Sequence, residues 1–558
     1  MPVMDGKYWG EIKNGALFAA VLLLSSCTKI GDYAEDRADR AAYGNIAGAQ
    51  SKAMGAAEPF SIGGADDALV QRLMATERKL ETAEVLSLAD TLAIAMANSR
   101  SYQTRKETLY IEALNLSETQ KDFNWNYSAS ADVSTEYTTL EDGTAETFGD
   151  NGIDTTIKAG VTRTLATGAK VSLGFTQNVF SYFTNPDSSD ANNALSLNIV
   201  QPLLNGFGPL VTKEPLRQAE RDMVYAVREF KRYQQDFVID IASLYYSTLQ
   251  ARDQLINQRN SFESAVLNRK QTESYAKAGR IADFQAAEAM QSELNAADRW
   301  SLAQSNYDSA IDDFRYALGL PIELNVVPDT NELARLEMKG LIEVEVDFEE
   351  ALVSALSNRL DLINLREQVQ DKQRKVEIRR RNFLPNLDVS YSVTKNLDTR
   401  DNSTVHDDVA QNLGVGLELP LDWTEKRNAY RIAQISLDRE VRALSEEEDD
   451  IRRTVRDLWR KLERNRSVYK NRLLSVELST RRVENTQLLL KQGKALTRDL
   501  LEAEDDLLSS KNEATAALVD YTINRLRFWN AIERFEIDPK GMWYEQSDPE
   551  KAVAAPQR

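Results

Sequence analysis

The chain has 558 residues, and its 24 glycines and 13 prolines are too few to punctuate many short elements, so long helices and strands are expected. Its net charge of −19, with 87 acidic residues, argues against nucleic acid binding, which requires clustered Lys and Arg. One Cys and one His are too few for a Cys/His metal site, a thiol and His dyad or a Ser-His triad. We interpret His406, within a polar stretch, as a solvated loop residue, and we predict no enzyme activity, no metal and no cofactor.

The N-terminus is predicted to be an export signal at residues 1–26. Lys7 and Lys13 precede an apolar run at 16–24. This run is shorter than the roughly 18 to 20 apolar residues that span a bilayer. It is therefore typical of a cleaved signal and not of an anchor helix.

The single Cys follows this run, in the sequence Leu-Ser-Ser-Cys at 24–27. These residues resemble a bacterial lipobox, which implies cleavage before Cys27 and lipid on its thiol and new N-terminus. Thr28 follows, and not the Asp that commonly retains such lipoproteins in the inner membrane, so the resemblance points to the outer membrane. An ordinary secretory signal with a chance Cys is the alternative. Residues 27–83, rich in Ala, Gly and Asp, are predicted to be a lipidated N-terminal tether.

From residue 84 onward the chain follows one plan twice. Residues 98–133 align without gaps with 358–393, and 195–203 align with 413–421. Because three such blocks recur in the same order, we predict an internal duplication. The third aligned block runs from Gly279 to Phe314 and from Gly493 to Phe528. The predicted divisions are a first repeat at 84–322, a linker at 323–346, a second repeat at 347–537 and a C-terminal tail at 538–558.

Each predicted repeat contains a helix, strands, a very long helix and a further helix. In the first long helix, apolar residues from Leu216 to Leu244 recur every three or four positions, the period of packed coiled-coil helices. The long helices, at 212–275 and 426–490, are each expected to measure roughly 100 Å. Shorter helices are predicted at 84–123, 281–318, 347–383 and 497–532.

Between the helices the apolar period changes to two, which predicts strands. Tyr127, Ala129, Ala131 and Val133 alternate with polar residues, as do the apolar residues of 171–176, 387–394 and 413–419. Strands of about ten residues with one apolar and one polar face suit a membrane barrel. A soluble sheet packed on one face is the alternative. Four to six strands are too few to close a barrel, so subunits must share it.

Four motifs in this order carry a family resemblance. They are Gln-Pro-Leu-Leu-Asn-Gly-Phe-Gly at 201–208, Asn-Arg-Leu-Asp-Leu at 358–362, Asn-Phe-Leu-Pro-Asn-Leu at 382–387 and Leu-Pro-Leu at 419–421. With the duplication, they resemble the TolC-like outer-membrane efflux protein family over about residues 84–537. The resemblance implies an α+β fold: a homotrimer that shares one outer-membrane β-barrel, continued by a long periplasmic α-helical barrel.

One segment departs from the family pattern. Residues 152–178 insert an extra hairpin that is predicted to turn at Thr167 and Gly168. Twelve strands are expected in the trimer if this hairpin lies outside the wall, and eighteen if it joins the wall.

The resemblance also implies where adaptor and gate residues lie. The adaptor is expected to contact the periplasmic tip, at the turns that follow the long helices. Asp499 and Glu502 are expected at the gate, where three copies would present six carboxylates and favour cations. A solvated acidic face, continued by residues 504–506, is the alternative. Ala495 replaces the Arg that latches the gate in some members, and Lys494 or Arg498 could substitute for that Arg. The predicted tip residues are Gly279, Arg280, Ile281, Gly493, Lys494 and Ala495.

The predicted function is that of an outer-membrane channel component which passively conducts cargo from an inner-membrane pump and its periplasmic adaptor. The sequence contains no Walker-type Gly-rich loop, so the partner must supply the energy. A non-conducting periplasmic coiled-coil scaffold is the alternative, and drugs, metals and proteins all remain open as cargo.

Overall fold

The computed structural model describes residues 31, 33–62, 84–136, 152–182, 189–398, 409–538 and 541–545. Cys27, His406 and the predicted signal peptide lie outside these residues. The chain divides into two compact units. The first unit comprises 1–60, 109–227 and 367–442, and the second comprises 61–108, 228–366 and 443–558. Long helices combined with one large antiparallel sheet give an α+β chain, as predicted.

The first unit contains a six-stranded antiparallel sheet, in the spatial order β2-β3-β4-β5-β7-β8. Strands are numbered in chain order, and two short strands, β1 Glu84–Leu86 and β6 Val326–Pro328, lie outside this sheet. The ladders pair without interruption between neighbouring strands, including those of the predicted extra hairpin. This hairpin therefore joins the sheet. The six strands are β2 Asn126–Glu136, β3 Gly152–Thr164, β4 Lys170–Tyr182, β5 Ser189–Pro202, β7 Asn386–Asp398 and β8 Val409–Glu418.

The extra hairpin turns where the sequence predicts it to turn, at Gly168. This glycine has a φ of +92°, which L side chains rarely adopt, and its N–H donates to Leu165 O at 2.9 Å. A Cβ at this position would lie 2.5 Å from the carbonyl oxygen of Gly206. Both the backbone angle and the close approach therefore require glycine.

The two faces of the sheet differ in polarity, as the period of two predicts. One row of facing residues is polar on all six strands, and the adjacent row, which points to the opposite face, is apolar on the first five. The polar row is Asn126, Thr162, Ser172, Asn198, Ser392 and Asn412. The adjacent row is Tyr127, Val161, Leu173, Leu197, Val393 and Gln411.

The predicted N-terminal tether is partly helical. Residues 33–54 form helix α1, and its apolar stripe of Ala42, Ile46 and Ala49 is buried. Because two of these three residues are alanines, the helical period in the sequence is faint. Within the first unit the helix contacts residues 110–120: Asn45 Nδ2 donates to Ala113 O at 3.0 Å, and the Tyr43 and Tyr110 rings lie 5.8 Å apart.

Two helices predicted as continuous are broken at matching positions. The predicted helix at 84–123 begins as β1 and then divides at Ser99, whose ψ of 127° is extended. The predicted helix at 347–383 divides at Arg359, whose ψ is 123°. In place of the two predicted helices lie α2 Leu88–Asn98, α3 Arg100–Lys121, α8 Phe348–Asn358 and α9 Leu360–Arg381, with bounds that coincide in the sequence alignment of the two halves.

The long helices follow the predicted bounds within a few residues. Helix α5, Glu214–Lys277, has 64 residues, and α10, Thr424–Lys491, has 68. A one-turn helix α4, Pro209–Thr212, precedes α5. The shorter helices α6, Asp283–Ala317, and α11, Thr497–Ala531, have 35 residues each, and both begin and end at aligned positions.

The second unit holds the main apolar core. Its large buried side chains include Tyr245, Phe314, Phe528 and Trp529, which come from α5, α6 and α11. The predicted linker and tail also contain structure. Strand β6 pairs in parallel with β1, helix α7 spans Asn331–Lys339, and β9, Phe535–Ile537, pairs antiparallel with β10, Trp543–Glu545. Among the described residues, no helix has the length and apolar character that crossing a membrane requires.

Candidate functional site

Both predicted tip turns are built around a glycine with positive φ. Gly279 follows α5 with a φ of +70°, and Gly493 follows α10 with a φ of +71°. At each turn the glycine N–H and the next N–H bond back to the last carbonyls of the helix: Arg280 to Tyr275 and Lys494 to Leu489, both at 2.9 Å. This is the Schellman arrangement, which needs a left-handed residue after the helix. The aligned halves therefore end their long helices in the same way.

A cavity of about 310 Å³ lies between the two turns, within the second unit. The Arg280 guanidinium lies 5.9 Å from the Tyr275 ring centroid beside it. The structure therefore brings most of the predicted tip residues together around one depression. The predicted tip residues that line it are Arg280, Ile281, Gly493 and Ala495, whereas Gly279 and Lys494 do not.

The tip also exposes apolar side chains. Phe284, in the first turn of α6, is 63% exposed, and Leu496, which precedes α11, is 50% exposed. Isolated exposed apolar residues are common, but these two lie at the starts of neighbouring helices beside the cavity. Sequence reasoning did not select either residue, although both lie within five residues of a predicted turn glycine.

Asp499, one of the two predicted gate residues, caps its own helix. Its Oδ2 accepts from the backbone N–H of Leu496 at 2.9 Å, three residues before it. A carboxylate in the first turn also interacts favourably with the positive end of the helix dipole. Asp499 therefore helps to define the start of α11.

Glu502, the second predicted gate residue, pairs with an arginine that the sequence analysis did not select. Arg482 Nη2 of α10 lies 3.1 Å from Glu502 Oε1, and the same guanidinium pairs with Asp506. Residues 482 and 502 lie at similar distances on either side of Gly493, as partners across an antiparallel helix pair do. Within the part of the chain that the structure describes, this cation is Arg482, and the substitution of Lys494 or Arg498 for the latching Arg stays a prediction.

The acidic run at 504–506 is not a uniform solvated face. Glu504 Oε2 accepts from Asn268 Nδ2 at 2.8 Å, and burial raises the pKa of this carboxyl. Asp505 pairs with Arg299 of α6 at 3.0 Å, and Asp506 pairs with Arg482. The three carboxylates therefore contact three different helices, α5, α6 and α10, and they hold α11 among them.

Among the described residues, no group of three or more His, Cys, Asp or Glu side chains could hold a metal ion. The candidate site consists of the two helix turns, the cavity between them and the ion pairs of α11.

Two comparisons with known proteins show what the sequence is similar to. Residues 351–532 match the model of the family described as "Outer membrane efflux protein". The alkaline protease secretion protein AprF of Pseudomonas aeruginosa is 24% identical over 335 residues, which cover 58% of this chain and 68% of that protein.

Solved structures with the same fold are also outer membrane proteins. The CmeC outer membrane channel of Campylobacter jejuni is 15% identical, with a TM-score of 0.59, over 84% of this chain and 88% of CmeC. The outer membrane protein VceC of Vibrio cholerae is 12% identical, with a TM-score of 0.58, over 80% of this chain and 95% of VceC.

Proposed function

The chain belongs to the outer membrane efflux protein family, and on that premise we propose that it is the outer-membrane channel of a tripartite export system. The channel conducts passively, while an inner-membrane pump supplies the energy and a periplasmic adaptor joins the two. The observation that carries the proposal is the six-stranded sheet with one polar and one apolar face. A wall that separates lipid from a water-filled lumen needs these two faces.

The channel is a homotrimer in this proposal. Within the described residues, β2 and β8 each pair on one side only, and six strands are fewer than the eight of the smallest barrels. An even number of antiparallel strands leaves two edge strands that run in opposite directions. Strand β8 of one copy can therefore pair antiparallel with β2 of the next, and such head-to-tail contacts close into a ring.

The outer-membrane location is supported by the family, and lipid attachment at Cys27 is part of the proposal. The support for attachment is the Leu-Ser-Ser-Cys sequence at 24–27 and the position of α1, which lies close behind it. Because α1 is bonded to residues 110–120, the anchor would be held to the channel by a packed helix.

The two helix turns form the surface that contacts the adaptor. Their cavity, with Arg280 and Tyr275 on one side and Leu496 on the other, offers a depression with both polar and apolar walls. Exposed Phe284 and Leu496 provide the apolar contacts that protein interfaces concentrate at their centres. An adaptor with apolar residues at its own tip would fit this surface.

Asp499 and Glu502 act as the gate of the passage. In a trimer they would place six carboxylates around one axis, which repel one another and favour cations. Arg482 offsets part of this repulsion, because it pairs with Glu502 within the same chain. Separation of α10 from α11 would break that pair and leave the Glu502 carboxylate without its cation, so the pair couples helix movement to the charge of the passage.

The name of one relative indicates a class of cargo. The Pseudomonas aeruginosa relative is named for alkaline protease secretion, which favours a polypeptide over a drug or a metal ion as the cargo here. The proposal assigns no catalytic residue to the chain.

Single-channel conductance in planar bilayers tests the proposed function. Purified oligomers should give small cation-selective currents, and Asp499→Asn/Glu502→Gln should reduce the cation selectivity while it preserves side-chain shape. Glu288→Gln is the matched control, because Glu288 is exposed and occupies the position aligned with Glu502 in the first half.

Absence of conductance from well-folded trimers would overturn the channel and favour the periplasmic scaffold. An equal loss of cation selectivity in Glu288→Gln would show that Asp499 and Glu502 have no specific role at the gate. Heat-resistant trimers on a denaturing gel provide the assembly readout that both measurements need.

A further inference from the structure

The extra hairpin, formed by β3 and β4, occupies the interior of the sheet. Strand β3 pairs with β2 over eleven residue pairs and with β4 over thirteen, and β4 pairs with β5 over twelve. A hairpin that merely lay over the sheet would leave β2 paired with β5. The four strands β2, β5, β7 and β8 therefore do not form a wall by themselves in this chain.

The hairpin also continues both faces of the sheet. Ser172 on β4 faces Asn198 on β5, which faces Ser392 on β7, so the polar row crosses the hairpin. Leu173 likewise faces Leu197, which faces Val393, in the apolar row. A loop that extends into water is not expected to keep its apolar residues in register with the apolar face of the sheet, because register is specified only where one face is buried.

We infer that β3 and β4 are wall strands. Three copies then close an eighteen-stranded barrel that is wide enough for polypeptide cargo, and not the twelve-stranded barrel that the other four strands of each copy would form. The inference rests on the proposed trimeric channel. With strands about 4.8 Å apart and tilted by about 40°, eighteen strands give a backbone diameter of about 36 Å, against about 24 Å for twelve. The cross-sectional area that the wall encloses roughly doubles.

The residues on the polar face leave this width open. Gly160, Gly174 and Ser196 face one another on β3, β4 and β5, and Gly414 and Gly416 lie on the same face of β8. Small side chains extend only a short distance into a lumen, so little of the added diameter is filled. Serine, threonine and asparagine beside them hydrate the surface, and the charged residues of the same face include both signs, among them Asp132, Lys158 and Asp388.

Paired cysteine variants in proteoliposomes test whether the hairpin lies in the wall. Ser172→Cys and Leu173→Cys probe β4, and Ser392→Cys and Val393→Cys probe β7 at the same two rows of the sheet. A polar, membrane-impermeant maleimide should label the two former serine positions at least about tenfold faster than their apolar neighbours. The unmodified chain, whose single thiol is Cys27, measures the background.

The mass of the intact oligomer, from native mass spectrometry, supplies the number of copies. Three copies together with alternation on both strands give eighteen wall strands. Equal labelling of Ser172→Cys and Leu173→Cys, with alternation retained on β7, would overturn the inference and leave the proposed channel standing. Loss of alternation on β7 as well would overturn both, and a dimer would return the count to twelve.

Discussion

Arg482 of α10 and Glu502 of α11 are joined by an ion pair across the antiparallel helix hairpin, with Nη2 and Oε1 3.1 Å apart. Both side chains are about half exposed, so the pair is screened by solvent and contributes only about 0.5 kcal/mol in one copy. Opening of a trimer would break three such pairs together. The coupling is therefore small in a single chain and larger in the assembly.

Arg482→Gln is expected to make the channel easier to open. Because Arg482 pairs with both Glu502 and Asp506, a trimer loses six pairs. At about 0.5 kcal/mol each this amounts to about 3 kcal/mol, so the open probability in planar bilayers should rise roughly a hundredfold at low salt. Arg481→Gln is the matched control, because Arg481 pairs with Glu477 on the same helix and does not link α10 to α11. An equal rise in both variants would mean that the channel responds to charge and not to the link between the helices.

Alanine at the tip glycine should destabilise the protein, whereas alanine at a helical glycine should not. Gly493→Ala forces an L side chain into a φ of +71° and is expected to cost about 1 kcal/mol. Gly44→Ala, within α1, removes a flexible residue from a helix and should stabilise by about 0.5 kcal/mol. No atom lies within 4 Å of the new Cβ at either site, so the backbone angle alone makes the difference. Thermal unfolding of the two variants in the same detergent should therefore shift in opposite directions.

Much of the fold was predictable, because its dominant signals are local. The periods of 3.5 and two located both long helices and the strands, and Thr167-Gly168 located the turn of the extra hairpin. The breaks at Ser99 and Arg359 were missed because neither residue is Gly or Pro, although both are buried in the structure. Helix α1 was missed because its buried stripe is mostly alanine.

The candidate site was predictable at the turns and not in its contacts. Gly279 and Gly493 were identified because the family resemblance places the tip at the turns that follow the long helices, and both have positive φ. Arg482 was missed because its role depends on the pairing of α10 with α11, which no single helix pattern contains. Glu504 was assigned to a solvated face because its buried partner, Asn268, is more than 200 residues away in sequence.

The attachment of α1 should weaken at high pH. The Tyr110 hydroxyl donates to Asp39 Oδ1 at 2.5 Å, and burial together with this hydrogen bond raises the pKa of Tyr110 to about 12. A phenol that holds its proton more tightly in the folded state stabilises the contact below its ordinary pKa of 10.0, and that stability is lost between pH 10 and about 12. Cleavage of α1 by a protease active at high pH should rise across this window.

Tyr110→Phe should remove this dependence. The variant retains the ring that contacts Tyr43 but loses the hydroxyl, so its α1 is expected to be cleaved several-fold faster at neutral pH and to show no step between pH 10 and 12. Tyr127→Phe is the matched control, because Tyr127 is 78% exposed on β2. A step retained in Tyr110→Phe would assign the titration to another group.

Glu504→Gln should stabilise the protein at neutral pH and flatten its pH dependence. Burial raises the pKa of the Glu504 carboxyl above its ordinary 4.5, so the folded state loses stability as the pH rises from about 4.5 through the raised value. Glutamine keeps an oxygen that can accept from Asn268 Nδ2, and it carries no charge to desolvate. The unfolding temperatures of Glu504→Gln and the unmodified protein should therefore differ little at pH 4, while at pH 7.5 the variant should unfold at the higher temperature. Glu484→Gln, on the exposed surface of α10, should show no such difference. A lower unfolding temperature for Glu504→Gln at pH 7.5 would contradict the prediction, because it would mean that the contacts of the ionised carboxylate stabilise the fold by more than its burial costs.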